Sequence, residues 1–377
     1  MSEPTILRGP REVLAALPYL LGYHPERSVV LVSLCGRGLG PVARLDLPDA
    51  RNVRAAVDAL VGPVLRAAPD RALVIGYEER RGESEVVSRA LARALSAGGV
   101  RVEDQLVVRG DRWYAPRCRA GCCPARGHRL PRAEDVPAVA DFVAAGRAPL
   151  PSRDAVAGLV AEDPRAGAGV AASTAALRRR GRPFGDVRAG ELWARVVDPS
   201  DGAVRVAELT AAEVARLAGS LHDREWRDGL VSWMSMDALP ADALDDDTVR
   251  ALHEHLGPPR PGGRGAGRPR AVGHRLDRLD AEATGRPSAG EADDVAAQER
   301  LLHRLLALCR AVPDACPEEA AAVCTVAACV AWGQGDGAVA REAVDRALRL
   351  QPGYRLARLV HRLVDLGIRP DLGARAG

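Results

Sequence analysis

Lysine is missing altogether: all 53 basic side chains counted as Lys plus Arg are arginines. Aromatic residues are scarce, at 3%. Ala, Gly and Pro are plentiful, and the codon bias of a GC-rich genome accounts for the whole pattern. A phosphate loop built around lysine is therefore excluded, and neither a serine nucleophile elbow nor an HExxH helix is present. Long apolar runs are lacking too. The longest, residues 320–332, falls short of the roughly 20 residues needed to cross a bilayer. Residues 1–12 are polar and charged, without the apolar core of a signal peptide. A cytoplasmic protein with no membrane partner is expected. The net charge of +3 is too small to draw the whole molecule to nucleic acid.

What remains is the composition of a globular protein. The chain has 377 residues, 47% hydrophobic and 27% charged, enough for two or three domains. Its eight cysteines, in a reducing compartment, are expected to be thiols or metal ligands and not disulfides.

The first stretch, residues 5–48, is the most legible. Pro10 suits a first helical turn, and Val13, Leu14, Leu17 and Leu21 share one helical face. Pro18 should kink or split this helix, and Gly22 should stop it. Residues 28–34, SVVLVSL, read as a strand covered on both faces. Residues 42–47 alternate, placing Ala43, Leu45 and Leu47 on one side and Val42, Arg44 and Asp46 on the other. Gly36-x-Gly38-x-Gly40 lies between the two runs. A dinucleotide loop would need a helix next, but Pro41 and a strand follow, so a hairpin turn is expected.

This stretch resembles the start of the domain of unknown function 4192 family of actinobacteria, through Pro18, Leu21, Gly22, Pro25, Ser28, Arg44, Asp46 and Pro48. Two further segments carry the same resemblance. One is Trp113 with Cys118-x3-Cys122-Cys123-Pro124 and Gly127; the other is AWGQGDGAVAREAVDRAL, residues 331–348. The resemblance implies a rough shared architecture and carries over no catalytic residue.

Further on, helices are expected near 53–65, 83–97, 135–145, 152–161 and 174–180, with strands at 71–77 and 100–108. Thr210 and Glu213 form a capping box that opens a helix reaching past Trp226 to Met234. Residues 190–198 are ambiguous. Residues 258–294, rich in Pro, Gly and Arg, cannot bury enough apolar surface to order themselves. Their arginines invite an RNA-binding reading, which composition alone explains away. The segment 335–352 matches the second helix of a tetratricopeptide-like unit, with Ala340, Ala343 and Ala347 at close-packing positions and Trp332, Leu348 and Leu350 expected to pack the hairpin.

The fold expected is an α/β N-terminal domain, a mixed sheet with flanking helices, over residues 1–147, including a Cys-rich loop at 112–128. A helical region at 148–257, a disordered linker at 258–294 and a helical tetratricopeptide-like region at 295–377 follow. Two sets of site residues stand out. Arg44 and Asp46 share a strand face near the sheet end where α/β proteins bind ligands, although an ordinary ion pair would look the same. Cys118, Cys122, Cys123 and His128 supply the donor types of a Cys3His zinc site. The flanking Arg112, Arg117, Arg119 and Arg126 should favour thiolates. Against this, Cys122 and Cys123 are adjacent, and neighbouring side chains seldom converge on one tetrahedral ion; the spacing is not C-x2-C, and no second Cys pair lies nearby. A redox thiol pair and a set of small buried apolar groups are the alternatives. The functional expectation is a non-enzymatic binding or scaffold protein, with a protein partner on the C-terminal helices. The alternative is an enzyme or small-ligand-binding protein that uses the sheet edge and a Cys-held metal.

Overall fold

In the computed structural model the first apolar run becomes β1 (Ser28–Cys35), the centre of a hairpin and of a sheet. Residues 7, 9–36, 38–118, 121–144, 148–180, 187–198, 203–235, 244–256 and 289–368 are described. β1 pairs antiparallel with β2 (Gly38–Asp46), Cys35 opposite Gly38, so the glycine pattern makes a hairpin turn as its flanks require. On its other side β1 runs antiparallel to β3 (Arg71–Tyr77). α3 (Glu85–Ala97) carries the chain over to β4 (Arg101–Arg109), which lies parallel to β3. β5 (Arg112–Tyr114) and β6 (His128–Arg129) complete a six-stranded mixed sheet in the order β2-β1-β3-β4-β5-β6.

Strand alternation sorts the core into two layers. Val29, Leu31, Ala43, Leu45 and Leu47 meet α3 and α2 (Val53–Arg66) on one face. Val30, Val32, Val42, Leu73, Ile75 and Tyr77 meet α1 (Pro10–Leu21) on the other. Pro18 does not split α1, which runs on as one helix to Gly22 in the left-handed conformation. The reason is local. Leu14 and Leu17 are buried against the sheet, and this packing outweighs the single backbone bond that proline removes. α2 likewise runs through Pro63.

The chain divides into two compact units, one chiefly Met1–Arg153 and one chiefly Asp154–Pro269 with Pro287–Val364. The first extends beyond residue 147 because Leu150 bridges to Tyr23, its backbone bonded to Gly22 and His24 at 2.8 and 2.9 Å. It also holds α4 (Pro137–Ala144).

The second unit is helical among its described residues. It contains α5 (Arg153–Val160, whose first residue the first unit supplies), α6 (Val170–Arg179) and α7 (Val187–Val197), the last settling the ambiguous segment. The Thr210–Glu213 box caps α8 (Ala211–Ser220) with both reciprocal bonds present. The long helix expected there is two. Asp223 accepts from the Glu225 and Trp226 amides at 3.0 and 3.1 Å and so starts α9 (Arg224–Met234). α10 (Asp246–Leu256) and α11 (Ala289–Ala311) follow. α11 begins inside the stretch read as linker; residues 257–288 lie outside the described residues. α12 (Pro317–Gly333) and α13 (Gly337–Leu350) form an antiparallel hairpin joined at Asp336, whose side chain caps α13 through the Val339 amide at 3.1 Å. Ala340, Ala343 and Ala347 are fully buried at the crossing, while Leu348 and Leu350 are only half-buried. Small residues, not the leucines, set this contact. α14 (Arg355–Leu366) follows. No described helix is long and apolar enough to cross a membrane.

Candidate functional site

The sheet's far edge is built from very short strands, and the chain between β5 and β6 leaves it as a loop. Three sets of bonds shape that loop. The Cys118 amide donates to the Ala115 carbonyl at 3.0 Å, and the Gly127 amide donates to Pro124 at 2.8 Å. Arg112, on β5, donates through Nη1 to the carbonyls of Arg126 and Gly127 at 3.2 and 3.0 Å. Gly127 has φ of 71°, and a Cβ there would stand 2.6 Å from the Tyr114 ring. Only glycine fits the turn that brings the loop back to β6.

Within the loop, three thiols converge. Cys118 Sγ lies 3.4 Å from Cys122 Sγ, which lies 3.8 Å from Cys123 Sγ. All three sulfurs fall within 4.8 Å of one another. The adjacency of Cys122 and Cys123 is no obstacle, because this part of the loop is bent and the alternation of an extended strand does not apply. Tetrahedral zinc with Zn–S bonds of about 2.3 Å sets its sulfurs about 3.8 Å apart. The two sulfur contacts lie close to that spacing, and the three thiols could hold a metal ion. His128 is not part of the group; its ring stacks on Trp113 with centroids 4.6 Å apart.

The expected effect of the flanking arginines is reversed at Cys123. Its thiol is pushed up to about 12, by desolvation first and then by the two neighbouring thiols. Arg112 is occupied with backbone carbonyls, and Arg117 and Arg126 are exposed, where solvent screens them. The other cysteines behave differently. Cys309, Cys316, Cys324 and Cys329 are buried in the helical unit, and Cys35 is exposed at the end of β1.

Arg44 and Asp46 do share a face, at the end of the sheet where β3 also terminates, since Ser28 stands opposite both Asp46 and Tyr77. Arg44 reaches Asp46 at 2.7 Å and the Glu26 carbonyl at 3.1 Å, and lies 5.6 Å over the Tyr23 ring. The other Asp46 oxygen accepts from Arg153 at 2.8 Å. Each carboxylate oxygen already holds a guanidinium.

At the same end of the sheet, after β3, lies a carboxylate that sequence reasoning missed. Glu78, directly after β3, is buried and accepts from the Gly82 and Ser84 amides at 3.0 and 2.9 Å, from Ser84 Oγ at 2.7 Å and from Arg109 at 3.3 Å. It fills the space before α3 where an α/β protein could seat an anionic ligand. Nothing in the local pattern marks Glu78, because its partners come from a turn and from the neighbouring strand.

One comparison with known proteins finds a match. The model of the family described as "Domain of unknown function (DUF4192)" matches residues 10–259 and 279–371. The chain belongs to this family. The match takes in the hairpin of β1 and β2, the Cys loop of this DUF4192 member and its C-terminal helices, and omits residues 260–278. No curated protein and no solved structure matches the chain.

Proposed function

We propose that this DUF4192 protein is a non-enzymatic, cytoplasmic binding or scaffold protein whose sheet edge is closed by zinc on Cys118, Cys122 and Cys123. The observation that carries the reading is the spacing of the three sulfurs, 3.4 and 3.8 Å. Three thiolates would hold the ion and pin a loop that otherwise rests on a few backbone bonds. The fourth corner comes from outside the triad, from water, with His128 left on Trp113. A cytoplasmic setting fits, because it keeps the thiols reduced. Among the C-terminal helices, α14, where Leu359 is exposed at 55%, is the surface this reading assigns to a protein partner.

Elemental analysis of protein purified without a metal-affinity tag tests it. About one equivalent of zinc is expected, lost in a Cys122→Ser, Cys123→Ser double variant. Less than about one-tenth of an equivalent, with thiol titration unchanged by chelator, would falsify the metal centre. The second reading, a redox pair of Cys118 and Cys122, is favoured by their 3.4 Å sulfur contact. It expects two thiols to disappear on mild oxidation by a disulfide reagent and to return on reduction.

A further inference from the structure

A second feature of the same corner does not depend on the thiols. On the α1 side of the sheet a cleft of about 370 Å³ opens between α1 and the strand edge. It is lined by Arg11, Trp113, His128, Arg129, Arg132 and Asp135, with Leu130 and Pro131 behind them. The size falls within the range of roughly 300–1,000 Å³ seen for small-molecule sites.

The charge in this cleft is unbalanced. Three guanidiniums face one carboxylate, so with His128 neutral the lining carries two positive charges in excess. Arg132 has Glu134 at 3.4 Å. Arg11 and Arg129 have no ion pair among the described residues. Both are exposed, and Arg11 sits in the first turn of α1, where the helix end adds further positive potential. Cations gathered this way repel one another unless an anion joins them.

One wall of the cleft is aromatic, a stacked pair with its outer ring face left for a ligand. Trp113 and His128 face each other across the β5–β6 pair and stack at 4.6 Å with planes 24° apart. The Trp113 indole Nε1 is buried and has no hydrogen-bond partner among the described residues. Planar groups stack on such faces, and guanidiniums grip phosphate or carboxylate through paired N–H donors.

We propose that this cleft binds a small anion carrying a planar ring: a ring on the Trp113–His128 wall and one phosphate or carboxylate held by Arg11 and Arg129. A mononucleotide and an aromatic carboxylate share that chemistry. The inference stands apart from the zinc reading, since neither Arg11 nor Arg129 is a thiol neighbour and zinc content does not enter its readout.

The test is isothermal titration of the full chain, at low salt, with the four ribonucleoside 5′-monophosphates, with benzoate and salicylate, and with inorganic phosphate. Saturable one-to-one binding is expected for a member of one ring-bearing panel, with Kd below roughly 1 mM and at least about tenfold tighter than phosphate. The panel that binds names the anionic group. Arg11→Gln with Arg129→Gln should weaken it about tenfold or more, and Trp113→Ala should weaken it while Trp113→Phe retains most of it. The two arginines are exposed, so the paired glutamine variant should melt like the parent; zinc analysis on the same samples keeps a failure of the metal centre distinct. Absence of binding in both ring-bearing panels overturns the proposal. So does affinity unchanged in the glutamine variant, or phosphate alone binding as tightly as the ring-bearing anions.

Discussion

The β5–β6 corner and the helical unit use the same residue types to opposite ends. In the helical unit Arg346 is buried on α13 and all of its donor groups are engaged. Nε and Nη2 hold Asp314 at 3.0 and 2.6 Å, Nη1 reaches the Val160 and Cys309 carbonyls at 2.5 and 2.6 Å, and Nη2 also reaches Val312 at 2.8 Å. Buried Glu319 is gripped by Arg178 at 2.7 and 2.8 Å. Cys329, packed in α12, has its thiol pushed up to about 12 by desolvation. At the corner, Arg11 and Arg129 stand exposed with no ion pair among the described residues, and three thiols gather within 4.8 Å of one another. Buried polar groups that are fully satisfied hold a fold together, whereas exposed cations gathered in one cleft are open to an anion.

The strongest way to break this contrast is at Arg346. Arg346→Leu would leave Asp314 and three carbonyls without their donor, and a loss of about 3–5 kcal/mol in urea unfolding is expected. A loss below about 1 kcal/mol would show that the network does not hold the unit. Arg346→Lys should recover little, because an ammonium cannot reach this fork of acceptors.

Next in size is metal removal. If zinc holds the corner, a hundredfold excess of free ion over its Kd adds about 2.7 kcal/mol of stability, which a chelator abolishes. The same sample sharpens the comparison through native thiol labelling. In chelator, Cys118, Cys122 and Cys123 should react, while Cys309, Cys316, Cys324 and Cys329 should stay silent until the chain unfolds. Early labelling of the second set would erase the distinction.

Ala347→Arg, at the α12–α13 crossing, should cost about 1–3 kcal/mol from overpacking together with the burial of a charge. An unchanged melting temperature would count against the hairpin contact.

The smallest effect expected is at the surface of the sheet unit. Amide and guanidinium hydrogen bonds from Arg80 hold the Glu83 carboxyl down at about 2, below its ordinary 4.5. A depressed folded pKa means stability present above pH 4.5 and lost as pH falls through about 2. Glu83→Gln should therefore separate from the parent in melting temperature at neutral pH, and the two curves should converge in acid. Parallel curves would refute the assignment.

By itself the sequence determined the elements whose signals are local. Alternation in residues 42–47 put Leu45 and Leu47 in one layer and Arg44 and Asp46 on the other face. Pro41 after Gly40 ruled out a nucleotide loop, and Thr210 with Glu213 started α8 where the structure starts it. The three cysteines of the loop were legible as metal-ligand types, but their convergence was not, because it depends on a bend that side-chain periodicity does not describe. Asp223 begins α9 by accepting from the Glu225 and Trp226 amides, a cap that the apolar pattern ran straight across. Tertiary structure alone decided the rest. Arg11 and Arg129 line one cleft although more than a hundred residues separate them, Glu78 finds Arg109 only when β3 lies parallel to β4, and Arg346 collects acceptors from two separate segments, residue 160 and residues 309–314. Short-range patterns encode which face of an element is apolar. Which polar groups come together follows from how those faces pack.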